Sequence, residues 1–262
     1  MQRILTTRPH SEQAALGRAL ARIGCQAVAL PTIEIVSTTT QQSHYQTLKQ
    51  QMMNIDLYDI VICISHNAAS CAAQWLDTYW PQQPLGIQWF AIGKRTQRAL
   101  EALDIQAAIA QNGSDSEALL ALLAPQVVAG KKILILKGNA GRQTLTKELH
   151  RRGARVDEAL LYHRQSATYS DKLVFSTLYN EALSAILTTS GEALCNLVAI
   201  ARGSSAQFDL TPLLAKPVVV PSQRVAEIAA IQGFNRITVA AGADNKAMLD
   251  ALVPAIDSEA DT

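Results

Sequence analysis

A short apolar run, a polar turn and a helix-forming segment follow one another repeatedly along this chain of 262 residues. Residues 3–5, 60–64 and 133–136 are such apolar runs, and their length and composition are typical of buried strands. Strands that alternate with helices form parallel sheets with right-handed crossover connections. The repeat therefore predicts an α/β fold.

Two polar segments interrupt the repeat, and we interpret residues 37–43 and 165–170 as linkers because they lack apolar periodicity. They separate pieces that hold two, five and three predicted strands. Two similar five-stranded domains, one inserted into the other, or a continuous two-domain division would each accommodate this count. The remaining predicted strands cover residues 27–30, 89–92, 105–109, 156–162, 185–187, 218–220 and 237–240.

The charge balance and the cysteines exclude several classes of protein. Charged residues make up 17% of the chain and the net charge is +1, which argues against a nucleic-acid binder. The four cysteines form neither a CxxC pair nor a Cys/His cluster, so we expect no metal site and no disulfide framework. No stretch reaches the ~18 consecutive apolar residues of a membrane span. These features predict a soluble, cytoplasmic protein without a membrane partner.

Residues 131–164 combine the features of an anion site. A predicted strand ends at residue 136, and a polar turn with Gly138 and Gly141 leads to a helix that Gly153 closes. A second extended segment then ends on Tyr162. The turn places Lys137 and Arg142 between a strand and a helix N-terminus, where open α/β folds bind anions.

Polar turns follow several other predicted strands, and each has a second interpretation. Arg8 can bind an anion or lie on the surface near a helix start, where a cation opposes the helix dipole. Ser65 and Asn67 are preferred helix N-caps, and His66 is a general acid–base candidate by type that we interpret as a contact residue. Gly93-Lys94 lacks the spacing of a phosphate loop, and Gly138-Asn139-Ala140-Gly141 lacks that of a dinucleotide motif. Hydroxyls and amides recur in the turns at Thr189, Ser190, Gly191 and Ser222.

The order and spacing of these turns resemble those of the uroporphyrinogen-III synthase family. The residues that carry the resemblance are the stretch 133–142, the RGARV turn before Tyr162, and the segments Thr7-Arg8-Pro9, Ser65-His66-Asn67-Ala68, Ala91-Ile92-Gly93-Lys94, Thr189-Ser190-Gly191-Glu192 and Val220-Pro221-Ser222.

The resemblance implies two flavodoxin-like domains with parallel five-stranded sheets. Residues 1–36 and 166–262 would form domain 1, and residues 40–163 an inserted domain 2. Residues 34–36 and 161–163 would run side by side as a two-stranded linker, with the substrate held between the domains.

The resemblance also implies a reaction: the cyclisation of hydroxymethylbilane to uroporphyrinogen III, with loss of water and inversion of ring D. Water would leave ring A to give an azafulvene, and ring D would attack it through a spiro intermediate. No cofactor or metal is implied, and we expect a monomer. Tyr162 would assist departure of the hydroxyl, although a strand-end tyrosine can also be a plain packing residue. The implied contacts with the polycarboxylate substrate are Arg8, Ser65, His66, Asn67, Gly93, Lys94, Lys137, Gly138, Asn139, Arg142, Thr189, Ser190, Gly191 and Ser222.

Two other functions stay open. A non-catalytic two-domain sensor of a small anion would have the same alternating pattern, but it would usually carry a signal peptide or a DNA-binding module. A glycosyltransferase with two Rossmann-like halves would show sugar-nucleotide contacts and is usually longer.

Overall fold

The computed structural model describes residues 1–110, 116–139, 143–180, 182–203 and 209–257. The strands are β1 (Gln2–Thr6), β2 (Cys25–Ala29), β3 (Ile33–Ser37), β4 (Ile60–Cys63), β5 (Gln88–Ala91), β6 (Ala107–Ala108), β7 (Lys132–Gly138), β8 (Arg155–Ser166), β9 (Leu183–Leu187), β10 (Val218–Val220) and β11 (Ile237–Val239).

Helices connect most of these strands, as the alternating pattern predicts. They are α1 (His10–Arg22), α2 (Tyr45–Met53), α3 (His66–Tyr79), α4 (Lys94–Glu101), α5 (Ser116–Leu122), α6 (Pro125–Val128), α7 (Thr144–Arg151), α8 (Asp171–Phe175), α9 (Gly191–Gly203), α10 (Thr211–Leu214), α11 (Gln223–Gln232) and α12 (Asn245–Asp257). A 3₁₀ turn covers Ile55–Leu57, and a π-helical turn at Ser176–Asn180 continues α8.

The chain divides into two compact units. Unit 1 comprises Met1–Glu34 and Gln165–Thr262, and unit 2 comprises Ile35–Arg164. The sheet of unit 1 has the strand order β11-β10-β9-β1-β2, and its paired strands run parallel. The second sheet has the order β3-β8-β7-β4-β5-β6, with parallel pairing from β8 to β6. The prediction of an α/β fold with parallel sheets is confirmed.

The second sheet differs from the prediction of five strands because β3 adds a sixth beside β8. The two segments interpreted as linkers also belong partly to strands, since β3 ends at Ser37 and β8 continues to Ser166. The backbone of Thr38 donates to the carbonyl of Leu161 at 2.9 Å, and its side chain is buried. Backbone pairing holds Ser37, Gln165 and Ser166 in strands, although their side chains are polar. Apolar alternation therefore could not predict that these residues belong to strands.

Helices cover both faces of each sheet. In unit 1, Ile4 of β1 packs with α1 and α12, whereas Leu5 packs on the other face with residues of α9 and α11. In unit 2, alternate residues of β7 separate in the same way, with Leu134 among residues of α2 and α3 and Ile135 among residues of α5 and α7. The period of two along each strand therefore divides its apolar side chains between two cores. The ends of the strands remain as the place for polar groups.

Strand β6 is shorter than predicted. The apolar run at residues 105–109 indicated a strand of five residues, whereas β6 contains Ala107 and Ala108 alone. Ile105 is buried in the core without joining the strand, and Asp104 before it has a φ of 60°. The apolar character of Ile105 therefore reflects its burial in the core, because the turn at Asp104 keeps Ile105 out of the strand.

Candidate active site

The turns after β4, β5 and β7 lie together at one edge of the unit 2 sheet. Cys63 at the end of β4 is in register with Ala91 of β5 and with Leu136 of β7. The chain leaves β4 and β7 toward opposite sides of the sheet, and such a switch in strand order is where open α/β sheets bind ligands. The predicted site residues on these turns are Ser65, His66, Asn67, Gly93, Lys94, Lys137, Gly138 and Asn139.

Tyr162 lies at this same edge, within β8. Its residue position is in register with Gly138, after an irregularity between Lys137 and Gly138, and the side chain is 6% exposed. A Cβ atom on Gly138 would lie 2.5 Å from Cε2 and 2.6 Å from Cζ of the tyrosine ring. Gly138 is therefore a glycine because the aromatic ring occupies the space of a side chain.

The hydroxyl of Tyr162 meets Ser65 across the sheet edge. Its Oη lies 3.1 Å from Oγ of Ser65, and that Oγ also accepts the backbone N–H of Ala68 at 3.0 Å. Ser65 is thus the N-cap of α3, as its residue type predicts, and a partner of the tyrosine as well. The capping and site interpretations of Ser65 are compatible in this geometry.

A buried thiol holds the backbone of Ser65. Cys63 has no solvent exposure, and its Sγ donates to the Ser65 carbonyl at 3.4 Å. Burial raises the pKa of the Cys63 thiol to about 12, so the thiol keeps its proton at neutral pH and remains a donor. Cys63 therefore stabilises the turn as a neutral group.

Lys137 has a carboxylate partner within unit 2. Its ammonium lies 3.2 Å from Oε2 of Glu158, and the lysine side chain is 8% exposed. Glu158 also accepts the hydroxyl of Thr146 in α7. The predicted ligand cation is thus paired internally, and it contributes to the wall of a cavity of about 460 Å³ whose other lining residues are Ile64, Ile92, Ser116, Glu117, Ile135, Leu145 and Thr146.

Gly93 and Lys94 begin α4 in a geometry that requires glycine. Gly93 has φ 79° and ψ 153°, a backbone region that glycine alone adopts without strain. Lys94 is exposed at the first position of the helix. The turn therefore presents a cation to solvent at the carboxyl edge of the sheet.

Unit 1 repeats this arrangement at the carboxyl ends of β1, β9 and β10. Thr6 of β1 is in register with Leu187 of β9, and the strand order switches between these two strands. Just beyond them, the buried hydroxyl of Thr7 donates to Oγ1 of Thr188 at 3.1 Å. Neither threonine is among the predicted site residues, although Thr188 directly follows an apolar run and Thr7 follows one after Thr6.

Arg8 has its own counter-ion in the first turn of α1. Its Nη1 lies 3.3 Å from Oε2 of Glu12, and its Nη2 donates to the carbonyl of Ala243 at 2.6 Å. A carboxylate four residues later therefore compensates this cation near the helix start, and the arginine side chain is 11% exposed. Both interpretations of Arg8 stay predictions.

The remaining turns of unit 1 contain helix caps. Oγ of Ser190 accepts the backbone N–H of Ala193 at 3.1 Å, at the start of α9. Gly191 is buried, and a Cβ there would lie 2.6 Å from Cδ1 of Ile228 in α11. Ser222 precedes α11 in extended conformation without a side-chain capping bond, whereas Thr189 is half-buried before Ser190.

The structure gathers the predicted residues into one set in each unit. Arg8, Thr189, Ser190, Gly191 and Ser222 belong to unit 1, and the rest of the described predicted residues belong to unit 2. Arg142 lies outside the described residues, so its prediction stands as made. The sequence reasoning missed the partners that become close only through folding, which are Thr7, Thr146, Glu158 and Thr188.

In the part of the chain that the structure describes, no three His, Cys, Asp or Glu side chains come together as metal ligands do. Within the same ranges, no helix combines the length and the apolar character that crossing a membrane needs.

Comparisons with known proteins agree with the resemblance in the sequence. Residues 14–250 match the model of the family described as uroporphyrinogen-III synthase HemD. The uroporphyrinogen-III synthase of Salmonella typhimurium is 33% identical over 95% of this chain and 99% of its own. The Escherichia coli enzyme of that name is 32% identical with the same coverage.

Solved structures of distant sequence share the fold. The uroporphyrinogen-III synthetase of Helicobacter pylori has a TM-score of 0.64 at 15% identity, over 97% of this chain and 99% of its own. A mutant uroporphyrinogen III synthase of Thermus thermophilus has a TM-score of 0.58 at 14% identity, over 98% of this chain and all of its own. With a family model matched across residues 14–250 and relatives up to 33% identical over nearly their full length, this chain belongs to the uroporphyrinogen-III synthase family.

Proposed function

We propose that this chain catalyses the cyclisation of hydroxymethylbilane to uroporphyrinogen III in tetrapyrrole biosynthesis. The observation that carries the proposal is the family match over residues 14–250. The chemistry is the loss of water from ring A followed by closure onto ring D with inversion of that ring. The product is a cyclic tetrapyrrole, and the enzyme is a cyclising lyase.

The substrate supplies most of the driving force for bond breaking. The lone pair of the ring A nitrogen displaces the hydroxymethyl oxygen, and the C–O bond breaks. The nitrogen loses one proton and the departing hydroxyl gains one, so water leaves and a neutral azafulvene remains. The substituted carbon of ring D then attacks the azafulvene to form a spiro intermediate. The bond from that carbon to its original methylene bridge breaks, the free carbon of ring D closes onto the released methylene, and loss of the proton from this carbon restores the pyrrole. A chain with this role needs to orient the two ends of the substrate, and orientation in an intramolecular reaction can contribute ~7–11 kcal/mol.

Tyr162 is the side chain to which we assign a chemical role. Its phenol can donate a proton toward the leaving hydroxyl, and acid–base assistance of this kind is typically worth ~10²–10⁴-fold in rate. Support comes from its place at the switch in strand order of unit 2, its hydrogen bond to Ser65 and the absence of a side chain at Gly138. The nearly buried ring fixes the direction of its hydroxyl.

The polar turns are proposed to bind the substrate carboxylates. Support comes from the carboxyl ends of parallel strands, where helix N-termini and backbone N–H groups attract anions. In unit 2, Lys94 is an exposed cation on such a turn, whereas the charge of Lys137 is already neutralised by Glu158. In unit 1, the turns at Arg8, Thr189 and Ser222 are the proposed contacts, and the corresponding turn residue outside the described part of unit 2 is Arg142.

A finer description of the fold is also part of the proposal. We describe unit 1 as a flavodoxin-like domain, because β2, the strand that follows β1, lies on one side of it and the next two strands, β9 and β10, lie on the other. In unit 2 the two strands that follow β4, namely β5 and β6, lie on one side of it, and β7 and β8 lie on the other, which is the Rossmann-type order. The flavodoxin-like description therefore applies to unit 1 alone. A monomer in the cytoplasm, without nucleic-acid or membrane partners, completes the proposal.

The direct test supplies enzymatically prepared hydroxymethylbilane and separates the products. The bilane closes on its own to the isomer without inversion, so the ratio of isomer III to isomer I measures catalysis against this background. We expect isomer III to dominate when the chain is present. A product mixture identical to that of the uncatalysed reaction would refute the proposed function.

A further inference from the structure

The pair of hydroxyls at Ser65 and Tyr162 raises a question that the family chemistry leaves open, namely which of the two is the donor. The two oxygens are 3.1 Å apart, and each carries one proton. If Tyr162 donates its hydroxyl proton to Ser65, that proton is not available to the leaving group. The direction of this hydrogen bond therefore bears on the rate.

The surroundings of Ser65 favour the serine as donor. Its Oγ already accepts the N–H of Ala68 at 3.0 Å, which leaves the hydroxyl proton to be given away. Among the residues that the structure describes, Tyr162 is the other hydrogen-bond partner of this Oγ. In either direction one of the two hydroxyl protons has no acceptor in this set, and with Ser65 as donor it is the Tyr162 proton that is left for a ligand.

Both groups are held in place by other contacts. The carbonyl of Ser65 accepts the Cys63 thiol at 3.4 Å, and the Tyr162 carbonyl accepts the backbone N–H of Asn139 at 3.0 Å. The tyrosine ring packs against the Gly138 backbone, where no side chain would fit. The relative orientation of the two hydroxyls is thus set by β4, β7, β8 and the start of α3.

We propose that Ser65 is a positioning residue, which donates its hydroxyl proton to Oη of Tyr162 and thereby directs the Tyr162 proton toward the substrate. This role rests on the proposed function, since it concerns the hydroxyl that leaves ring A. Ser65 forms no bond to the reacting atoms in this role. Its contribution is to keep the phenol proton available, while the α3 cap keeps the serine itself from rotating.

The test compares Ser65→Gly with Ser65→Thr in the full chain. Glycine is an N-cap nearly as favourable as serine, so α3 should still form. We expect Ser65→Gly to lower kcat about five- to tenfold, the effect of one neutral hydrogen bond, with KM nearly unchanged. Ser65→Thr keeps a hydroxyl on Cβ and should retain most of kcat.

Combining each variant with Tyr162→Phe distinguishes positioning from mere structural support. Without the phenol there is no proton to direct, so Ser65→Gly should lower kcat no further in the Tyr162→Phe background. An equal loss of kcat from Ser65→Gly in both backgrounds would overturn the proposal. So would a Ser65→Gly variant with the kcat of the parent chain.

A spectroscopic measurement is independent of turnover. With ¹³C-labelled tyrosine, the Cζ resonance of Tyr162, identified by its absence in Tyr162→Phe, reports the hydrogen bond at the phenol oxygen. We expect it to shift in Ser65→Gly and to stay close to its position in Ser65→Thr. A resonance unmoved in Ser65→Gly would contradict the proposed bond. Failure of the parent chain to form isomer III would instead refute the proposed function, whatever this resonance does.

Discussion

Tyr162 is the residue whose substitution most directly tests the chemistry. Tyr162→Phe removes the hydroxyl and keeps the ring that packs against Gly138. Turnover should fall toward the low end of the ~10²–10⁴-fold range for acid–base assistance, or by less, because the pyrrole nitrogen already drives the hydroxyl out. Isomer III should remain the main enzymatic product, since geometry selects it. Steady-state rates and product analysis measure both, and full turnover by the variant would remove Tyr162 from the mechanism.

Gly138 tests the same site through packing. In Gly138→Ala the new Cβ would meet the Tyr162 ring at 2.5 Å, and the ring or the β7 backbone must shift. We expect a destabilisation of about 1–3 kcal/mol, as for other overpacked cores, and reduced turnover from the displaced hydroxyl. All three tryptophans, Trp75, Trp80 and Trp89, belong to unit 2, so tryptophan fluorescence in urea follows the unfolding of that unit.

Gly17 is the matched control for this substitution. It lies within α1, and a Cβ there would meet Ala27 at an ordinary 3.9 Å. Gly17→Ala should leave stability unchanged or raise it by up to about 1 kcal/mol, because alanine favours helix more than glycine does. Circular dichroism during urea unfolding measures this change. Equal effects of the two alanines would contradict the close contact at Gly138.

The ion pair of Lys137 and Glu158 joins β7 to β8, and the hydrogen bond from Thr146 to Glu158 joins α7 to the same pair. Glu158→Gln removes the charge opposite a lysine that is 8% exposed, so the ammonium loses its counter-ion in a poorly hydrated place. We expect a loss of about 1–3 kcal/mol in the free energy of unfolding, read from tryptophan fluorescence in urea. Lys137→Met with Glu158→Gln should cost less than the sum of the two single substitutions. Strict additivity would mean that the two groups do not interact.

The turns of both units predict a salt-dependent enzyme. Exposed cations attract a polycarboxylate over distances that salt screens, so KM for the bilane should rise as salt is added. Lys94→Ala should weaken substrate binding by at most ~1.5–3 kcal/mol, the range of a hydrogen bond to a charged group. Because the proposed function divides the substrate carboxylates among several turns, no single cation should be essential.

Lys131 provides the control for Lys94. It lies just before β7, at the opposite end of the strands, and pairs with Asp59 at 2.9 Å. Its hydrogen bond lowers the pKa of Asp59. The pair lies at the amino edge of the sheet, because Asp59 directly precedes β4 and Lys131 directly precedes β7. Lys131→Ala should leave KM and its salt dependence unchanged. A KM that ignores salt, with Lys94→Ala silent as well, would refute the carboxylate contacts.

The local pattern of the chain was enough to predict the alternation of strands and helices and the polar turns at the strand ends. A buried parallel strand needs a run of apolar residues, and a helix start needs a cap, so both leave local traces such as residues 133–136 and Ser65. Apart from the family resemblance, each of these signals is contained within a few consecutive residues. The resemblance, which rests on the order and spacing of turns from Thr7 to Ser222, then pointed to Tyr162.

Tertiary structure alone decided the partners. Glu158 neutralises Lys137 across 21 positions, Ser65 meets Tyr162 across 97, and Thr7 meets Thr188 across 181. The pairing of β3 with β8 agrees with the two-stranded linker that the resemblance implies for residues 34–36 and 161–163, whereas the place of β3 as a sixth strand of the sheet was not predicted. Local sequence determined which groups stand at the strand ends, because burial and capping act on neighbours in the chain. Strand order and register determined which of those groups touch, because parallel strands bring distant turns to one edge.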